Sequence, residues 1–294
     1  MATYKTYDTI GIREDLQDAI YDISPTTTPF MSTVGRTKAK NTYHEWQTDS
    51  LADVNLANAQ VEGADAVSAT LTPTTRVGNY TQISDKVIQV STTDDVVDKA
   101  GRSTETAYQL SKASAEIKRD MESILLSDQA QSAGTSGTAR KLGGLASWIT
   151  TNTVDTAGGA LTEDMLKEAV LKAYNSGGEP DVLLVSPANK QVVSTFAGIA
   201  EQRYQAPKSS PTTIIGSADV YLSDFGSVNV VPDRFLSDDY SYVLDPSMAS
   251  VAYLRPFKSQ KLAKMGDSEK HLLNVEYTLV VNNESSHAMM SDET

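Results

Sequence analysis

The segment from Leu51 to Thr75 constrains the fold most, because it has almost nothing to bury. The surrounding stretch 41–93 is rich in Thr, Ala, Val, Asn and Asp, and it carries no aromatic residue between Trp46 and Tyr80. Strand-forming residues flank the polar part: Tyr43 to Thr48 on one side, Tyr80 to Thr92 on the other. Within the second flank Val87 to Ser91 partly alternates, with Ile88 and Val90 on one face. The pattern predicts a long β-hairpin with a polar end projecting from the body. At ~3.3 Å per residue, each limb of roughly 20 residues reaches on the order of 60 Å. An isolated hairpin is marginal in water, so a projecting one implies a partner surface.

The rest of the chain has enough apolar sequence to build the body. Residues 104–130 carry Ala107, Leu110, Ala113, Ile117, Met121, Ile124 and Leu125 at spacings of three and four, the period of an amphipathic helix. Ser103 or Thr104 is placed to cap it, with Glu105 near the positive end of its dipole. Lys112–Glu116 and Lys118–Glu122 are read as ion pairs on its other faces. A helix of that length spans roughly 40 Å at ~1.5 Å per residue. The Gly/Ser-rich stretch Ser132 to Gly144 must then be loop. Before it all, residues 1–40 form an arm with little core-forming sequence. One short amphipathic turn over Asp15, Leu16, Ala19, Ile20 and Ile23 is broken by Ser24-Pro25 and Thr28-Pro29.

Residues 161–258 read as α/β. Thr162 caps a helix whose buried stripe is Met165, Leu166, Ala169, Val170 and Ala173, with Leu161 stapled to Leu166 and Gly177-Gly178 ending it. Asp181 to Val185 is an unbroken apolar run suited to a strand covered on both faces. Ser186-Pro187 opens a second helix, a cap followed by Pro at the first position. Gln202 to Ser217 is a polar loop. Strands follow at Ala218 to Leu222, Val228 to Val231, Tyr240 to Leu244 and Val251 to Leu254. A long final strand covers residues 271–283, with Leu273, Val275, Tyr277, Leu279 and Val281 on one face.

Several chemistries are excluded. The chain has no Cys, which removes disulfides, thiolate nucleophiles and Cys-ligated metals. Its three histidines, His44, His271 and His287, have no ligand spacing, and structural or surface roles are expected for them. No P-loop, dinucleotide glycine pattern or Gly-x-Ser-x-Gly elbow appears. Asp224-Phe225-Gly226 matches the metal-binding triplet of kinases, but between two strands it is a turn. Asp94-Asp95 with Asp98 lacks a calcium-loop pattern, and the triplets Asn79-Tyr80-Thr81 and Asn283-Glu284-Ser285 are glycosylation acceptors only in a secreted chain. No catalytic, metal or cofactor residue is assigned, and no cofactor is expected. The net charge of −13 is repelled by phosphate backbones, which disfavours sequence-specific nucleic-acid binding. No run of 18 or more apolar residues is present, and the polar Met1 to Asp22 lacks the apolar core of a signal peptide.

The opening words Arg13-Glu-Asp-Leu-Gln-Asp-Ala-Ile20, Ile23-Ser-Pro25, Thr28-Pro-Phe30 and His44-Glu-Trp46 with Asp49 resemble the start of a family of tailed-phage major capsid proteins. The order of parts also resembles the α+β Hong Kong 97-like capsid fold. That resemblance implies an N-terminal arm over 1–40 and an extended β-hairpin loop over 41–93. A peripheral domain would cover 94–159 with its spine helix at 104–130, followed by an axial α/β domain over 160–250 and a return to the peripheral domain over 251–294. It further implies a non-enzymatic shell subunit that forms pentamers and hexamers around double-stranded DNA, in a virion assembled in the host cytoplasm. Its expected partners are other copies of itself, a separate scaffolding protein, a portal and decoration proteins, with no membrane. Trp46, Glu62, Asp65 and Arg76 are the expected inter-subunit contacts. Some relatives crosslink through a Lys on the loop; here Asn41 to Asp85 contains none, so a non-covalent shell is expected. The family-like words start near residue 13, which leaves no room for a cleaved scaffolding segment and points to a separate scaffold.

Three other readings compete. An encapsulin-like compartment shell subunit shares the fold and would show a cargo-peptide pocket. An α/β hydrolase or transferase would show convergent polar groups in a pocket. A decoration or tail protein fits poorly with the long helix beside an α/β region.

Overall fold

Pairing between residues far apart in sequence organises the described residues into two sheets and a separate two-stranded ribbon. The computed structural model describes residues 25–291, except 64, 66, 67, 69, 70, 99–102, 157, 197–218 and 265. The first elements are α1 (Pro29–Thr33), β1 (Gly35–Lys38), β2 (Tyr43–Thr48), β3 (Thr75–Tyr80), β4 (Gln82–Ser91), α2 (Thr92–Val96) and α3 (Glu105–Leu126). Then come α4 (Leu145–Trp148), β5 (Thr153–Asp155), α5 (Glu163–Asn175), β6 (Val182–Val185) and α6 (Pro187–Val193). The chain closes with β7 (Val220–Ser223), β8 (Gly226–Pro232), β9 (Tyr240–Leu244), β10 (Ala249–Lys261), β11 (Ser268–Val281) and β12 (Ala288–Ser291). The expected turn over 15–23 and the polar loop 202–217 lie outside the described residues.

A four-stranded sheet runs β1-β10-β11-β4. Leu273, Val275, Tyr277, Leu279 and Val281 of β11 are all buried on the face turned to α3, as the alternation predicts. From the helix Ala113, Ile117, Met121, Leu125 and Leu126 enter the same core. Phe30, Met31 and Val34 join them, so the end of the supposed arm is core-forming. Two further corrections concern strands. β11 is not the last strand, since β12 follows it. Residues 43–48 pair with 75–80 and not with 81–92, because β4 leaves the hairpin and lies along β11. There Ile88 and Val90 turn inward while Val87 stays exposed.

The six-stranded sheet runs β5-β12-β9-β6-β8-β7. β6 lies between parallel β8 and antiparallel β9, and its four residues are all buried. Val182 and Leu184 face the α3 core, whereas Leu183 and Val185 face a second core under α5 and α6. This single strand is therefore shared by both cores. The helix caps form as the sequence indicates: Thr162 Oγ1 accepts from Met165 N at 3.3 Å and Ser186 Oγ from Asn189 N at 3.2 Å. Asp224 and Phe225 make the β7–β8 turn, and Gly226 takes the φ of +146° that this turn requires.

The long helix departs from expectation in three places. Thr104 holds the N-cap position but its side chain makes no capping bond; Thr106 N donates instead to Asp95 Oδ1 of the preceding α2 at 3.1 Å. Glu116 pairs with Lys86 of β4, and Glu122 is fully buried against α1, so the two pairs read on the helix surface are not the ones formed. It ends at Leu126, four residues early, because the returning backbone at Gly144 abuts it. A Cβ on Gly144 would lie 2.1 Å from Ser127 O. Gly144→Ala is expected to cost about 1–3 kcal/mol through forced backbone separation, read as a lowered denaturation midpoint.

Candidate functional site

The ribbon β2–β3 is held hard at its base, and the described residues beyond it are all exposed. Asn79 is fully buried at that base. Its Nδ2 donates to Leu279 O at 2.9 Å and Gly143 O at 3.1 Å, and its Oδ1 accepts from Gly143 N at 2.8 Å. One side chain thus ties the ribbon to β11 and to the loop after α3. Thr278 Oγ1 adds a bond to Tyr80 O at 2.9 Å. Nearby, the buried Glu276 carboxylate accepts from Thr81 Oγ1, Arg140 Nη2 and Arg255 Nε at 2.7–2.8 Å. Two guanidiniums and a hydroxyl compensate its lost hydration. Gly78 lets the paired strand approach, since a Cβ there would lie 2.8 Å from His44 O.

Aromatic packing completes the base. Trp46 lies with its ring 5.4 Å from that of Trp148, and it packs on Ala39, Ala252 and Val280. Tyr43 and Tyr80 sit 4.5 Å apart. Past Thr48 and Thr75 the pairing stops. Leu51, Val54, Leu56, Val61 and Leu71 are then 80–97% exposed. Five large apolar side chains facing water on one segment are far from the scattered exposures of an ordinary surface, and they mark a contact region.

The four residues expected at this surface divide. Glu62 and Asp65 are exposed on the unpaired segment. Trp46 packs on the chain's own body, and Arg76 Nε pairs with Glu45 Oε1 across the ribbon at 2.9 Å. Sequence reasoning missed Asn79, Glu276 and the exposed apolar row. A Glu inside the apolar alternation of β11 was the available sign for Glu276.

A second polar node joins α3 to α1 and to the turn after β8. Both Glu122 carboxylate oxygens accept backbone amides of α1, from Phe30 N at 2.6 Å and Met31 N at 3.0 Å. Asp233, after β8, is also buried and accepts from Phe235 N at 2.8 Å, but its Oδ2 has no donor among the described residues. Burial, then repulsion from Asp233, pushes Glu122 up to about 8, and burial raises Asp233 as well. The pair is therefore held with a proton that the unfolded chain releases near ordinary carboxylate values. Below about pH 4 both states are protonated and there is no penalty. As pH rises toward 8 the unfolded chain ionises first, so this node's contribution to stability falls. Asp233→Asn supplies an amide donor to Glu122. It should flatten that decline, seen by comparing melting temperatures at pH 5 and pH 8 for both proteins.

No nucleophile–base arrangement emerges from the histidines. His287 is buried and its Nδ1 accepts from Asp245 N at 3.2 Å, with burial drawing it down to about 4. His44 sits in β2 and His271 in β11, on different sheets. Among the described residues no group of three or more His, Asp or Glu is placed to hold a metal, and no helix is long and apolar enough to cross a membrane.

A family model for the SU10 major capsid protein matches residues 2–294. The major capsid protein of Escherichia phage Phieco32 is 30% identical over 329 aligned residues, covering 94% of this chain and 93% of that protein. Among solved structures, the capsid of a native GTA particle superposes with a TM-score of 0.66 at 10% identity, covering 96% of each chain. The holo-SrpI encapsulin complex of Synechococcus elongatus superposes with a TM-score of 0.60 at 15% identity, covering 99% of this chain and 96% of that one.

Proposed function

Since the chain belongs to the SU10 major capsid protein family and is a phage major capsid protein with the Hong Kong 97-like fold, we propose that it closes an icosahedral head through its unpaired segment 49–74. Copies form pentamers and hexamers, with the segment of each laid over a neighbour. The carrying observation is the contrast at the ribbon. Its base is fixed by Asn79 and by aromatic packing, while Leu51, Val54, Leu56, Val61 and Leu71 stand in water. A segment built that way is stable only where another surface covers it. Contacts of this kind are heterologous and close into rings, and many weak ones make a firm shell.

In this reading 1–40 is the arm, 41–93 the extended loop, 160–250 the axial domain, and 94–159 with 251–294 the peripheral domain. The head forms in the host cytoplasm around double-stranded DNA, with a separate scaffolding protein, a portal and decoration proteins, and the chain performs no catalysis. Negative-stain microscopy of the protein co-expressed with its neighbouring genes is the test. Closed polyhedral shells, or free pentamer and hexamer rings, are expected. A small particle that never assembles at any concentration or salt would overturn the proposal. With no Lys between Asn41 and Asp85 to react, boiled mature particles should run as a single monomer band of 31.7 kDa on a denaturing gel, not as a ladder.

A further inference from the structure

Charge is distributed very unevenly over this acidic chain. The segment 49–75 holds Asp49, Asp53, Glu62 and Asp65 and not one Lys or Arg. The strip 35–40 holds Arg36, Lys38 and Lys40 and no acid. All three cations are exposed, on and just past β1, which is the edge strand of the four-stranded sheet. β1 covers β10 only as far as Tyr253. The outer half of β10 then continues the open edge and adds Arg255, Lys258 and Lys261, also exposed. Of these six, Arg255 is paired with Glu276 and Lys261 with Glu269, while Arg36, Lys38, Lys40 and Lys258 make no ion pair among the described residues.

We propose that the acidic, leucine-bearing segment 49–75 of one copy docks on the basic open edge formed by β1 and the outer half of β10 of a neighbouring copy. This rests on the shell reading and names the surface that the loop seeks. Cations on an edge strand are a common device against edge-to-edge aggregation, and that alone would explain a few lysines. Here the same chain also carries the complement: a segment with four carboxylates, no cation, and large apolar side chains at Leu51, Val54, Leu56, Val61 and Leu71 that are 80–97% exposed. Leu51 at 97% and Leu56 at 96% show that the segment does not lie on its own edge. The complementary charges set register and orientation, and the leucines supply the buried area.

Charge exchange tests this directly. Asp53→Lys, Glu62→Lys and Asp65→Lys together should lower the yield of shells at least tenfold, and so should Lys38→Glu, Lys40→Glu and Lys258→Glu together. The chain carrying all six changes should recover most of the wild-type yield. Zero-length carbodiimide crosslinking of shells assembled from a mixture of isotopically light and heavy chains should give mixed-isotope peptide pairs joining 49–75 to 36–40 or 255–261. The docking is overturned if either triple variant assembles like the wild type, if the sixfold variant fails to recover, or if the crosslinks are confined to single chains. It is also overturned if reversal of the basic edge leaves assembly intact and only reduces retained DNA, which would assign that edge to phosphate. In each of these cases wild-type shells still form. Their absence would instead remove the shell reading itself.

Discussion

Asn79→Leu is expected to remove about 3–6 kcal/mol of folding stability, a large share of the ~5–15 kcal/mol margin of a typical domain. The side chain is isosteric enough to fit, so the loss comes from hydrogen bonds and not from a cavity. It leaves Gly143 N, Gly143 O and Leu279 O without the partner they have now, in a place closed to water. Each buried group abandoned in this way costs about 1–3 kcal/mol. The three bonds join residues 64 and 200 positions apart, so nothing local substitutes for them. Asn79→Asp keeps the acceptor for Gly143 N but sets an uncompensated buried carboxylate against Gly143 O and Leu279 O, and at neutral pH it should be at least as destabilising as Leu. Urea denaturation followed by circular dichroism measures the series. A midpoint unchanged in Asn79→Leu would show that the base of the ribbon is held by other contacts.

Replacing Leu51, Val54, Leu56, Val61 and Leu71 together by Ser should have the opposite profile. These side chains are already 80–97% exposed, so the monomer loses no packing and its melting temperature should stay within about 1 °C. Assembly should fail. Burying one such side chain is worth about 1.5–3 kcal/mol, and even partial burial of five exceeds the ~4 kcal/mol that corresponds to a thousandfold in association. Light scattering against protein concentration should show the assembly threshold raised at least about a thousandfold, or no assembly at all. Normal shells from this variant would mean that the segment's polar atoms, not its apolar ones, make the contact.

The parts of the fold legible in the sequence were those where one physical requirement dominates. The run Val182 to Val185 had to be covered on both faces, and it is the strand that two cores share. Thr162 and Ser186 act as the caps they resemble because their bonds are local. Glu122 was misjudged because a Glu four residues from a Lys on a helix usually faces water; only the approach of α1, 91 and 92 positions away, makes it a buried acceptor. β1, Gly-Arg-Thr-Lys, has no apolar alternation and is a strand only because β10 offers its backbone. The early end of α3 is set by Gly144, whose approach leaves no trace in helical periodicity. The candidate site was visible as an absence of anchors between Trp46 and Tyr80, whereas its attachment through Asn79 depends on two segments brought together by the finished sheet.

The parallel pairing of β1 with β10 has a consequence for synthesis. Thr37 and Ser250, brought side by side there, are 213 positions apart. A ribosome adding ~5–20 residues per second makes the first strand roughly 10–40 s before the second exists. Through that interval Phe30, Met31 and Val34 have only α3, and not the β10–β11 face of their core, to pack against. Chaperone occupancy of this protein should therefore be concentrated on the segment around Phe30–Val34 and α3, and end abruptly once β10 and β11 have left the exit tunnel.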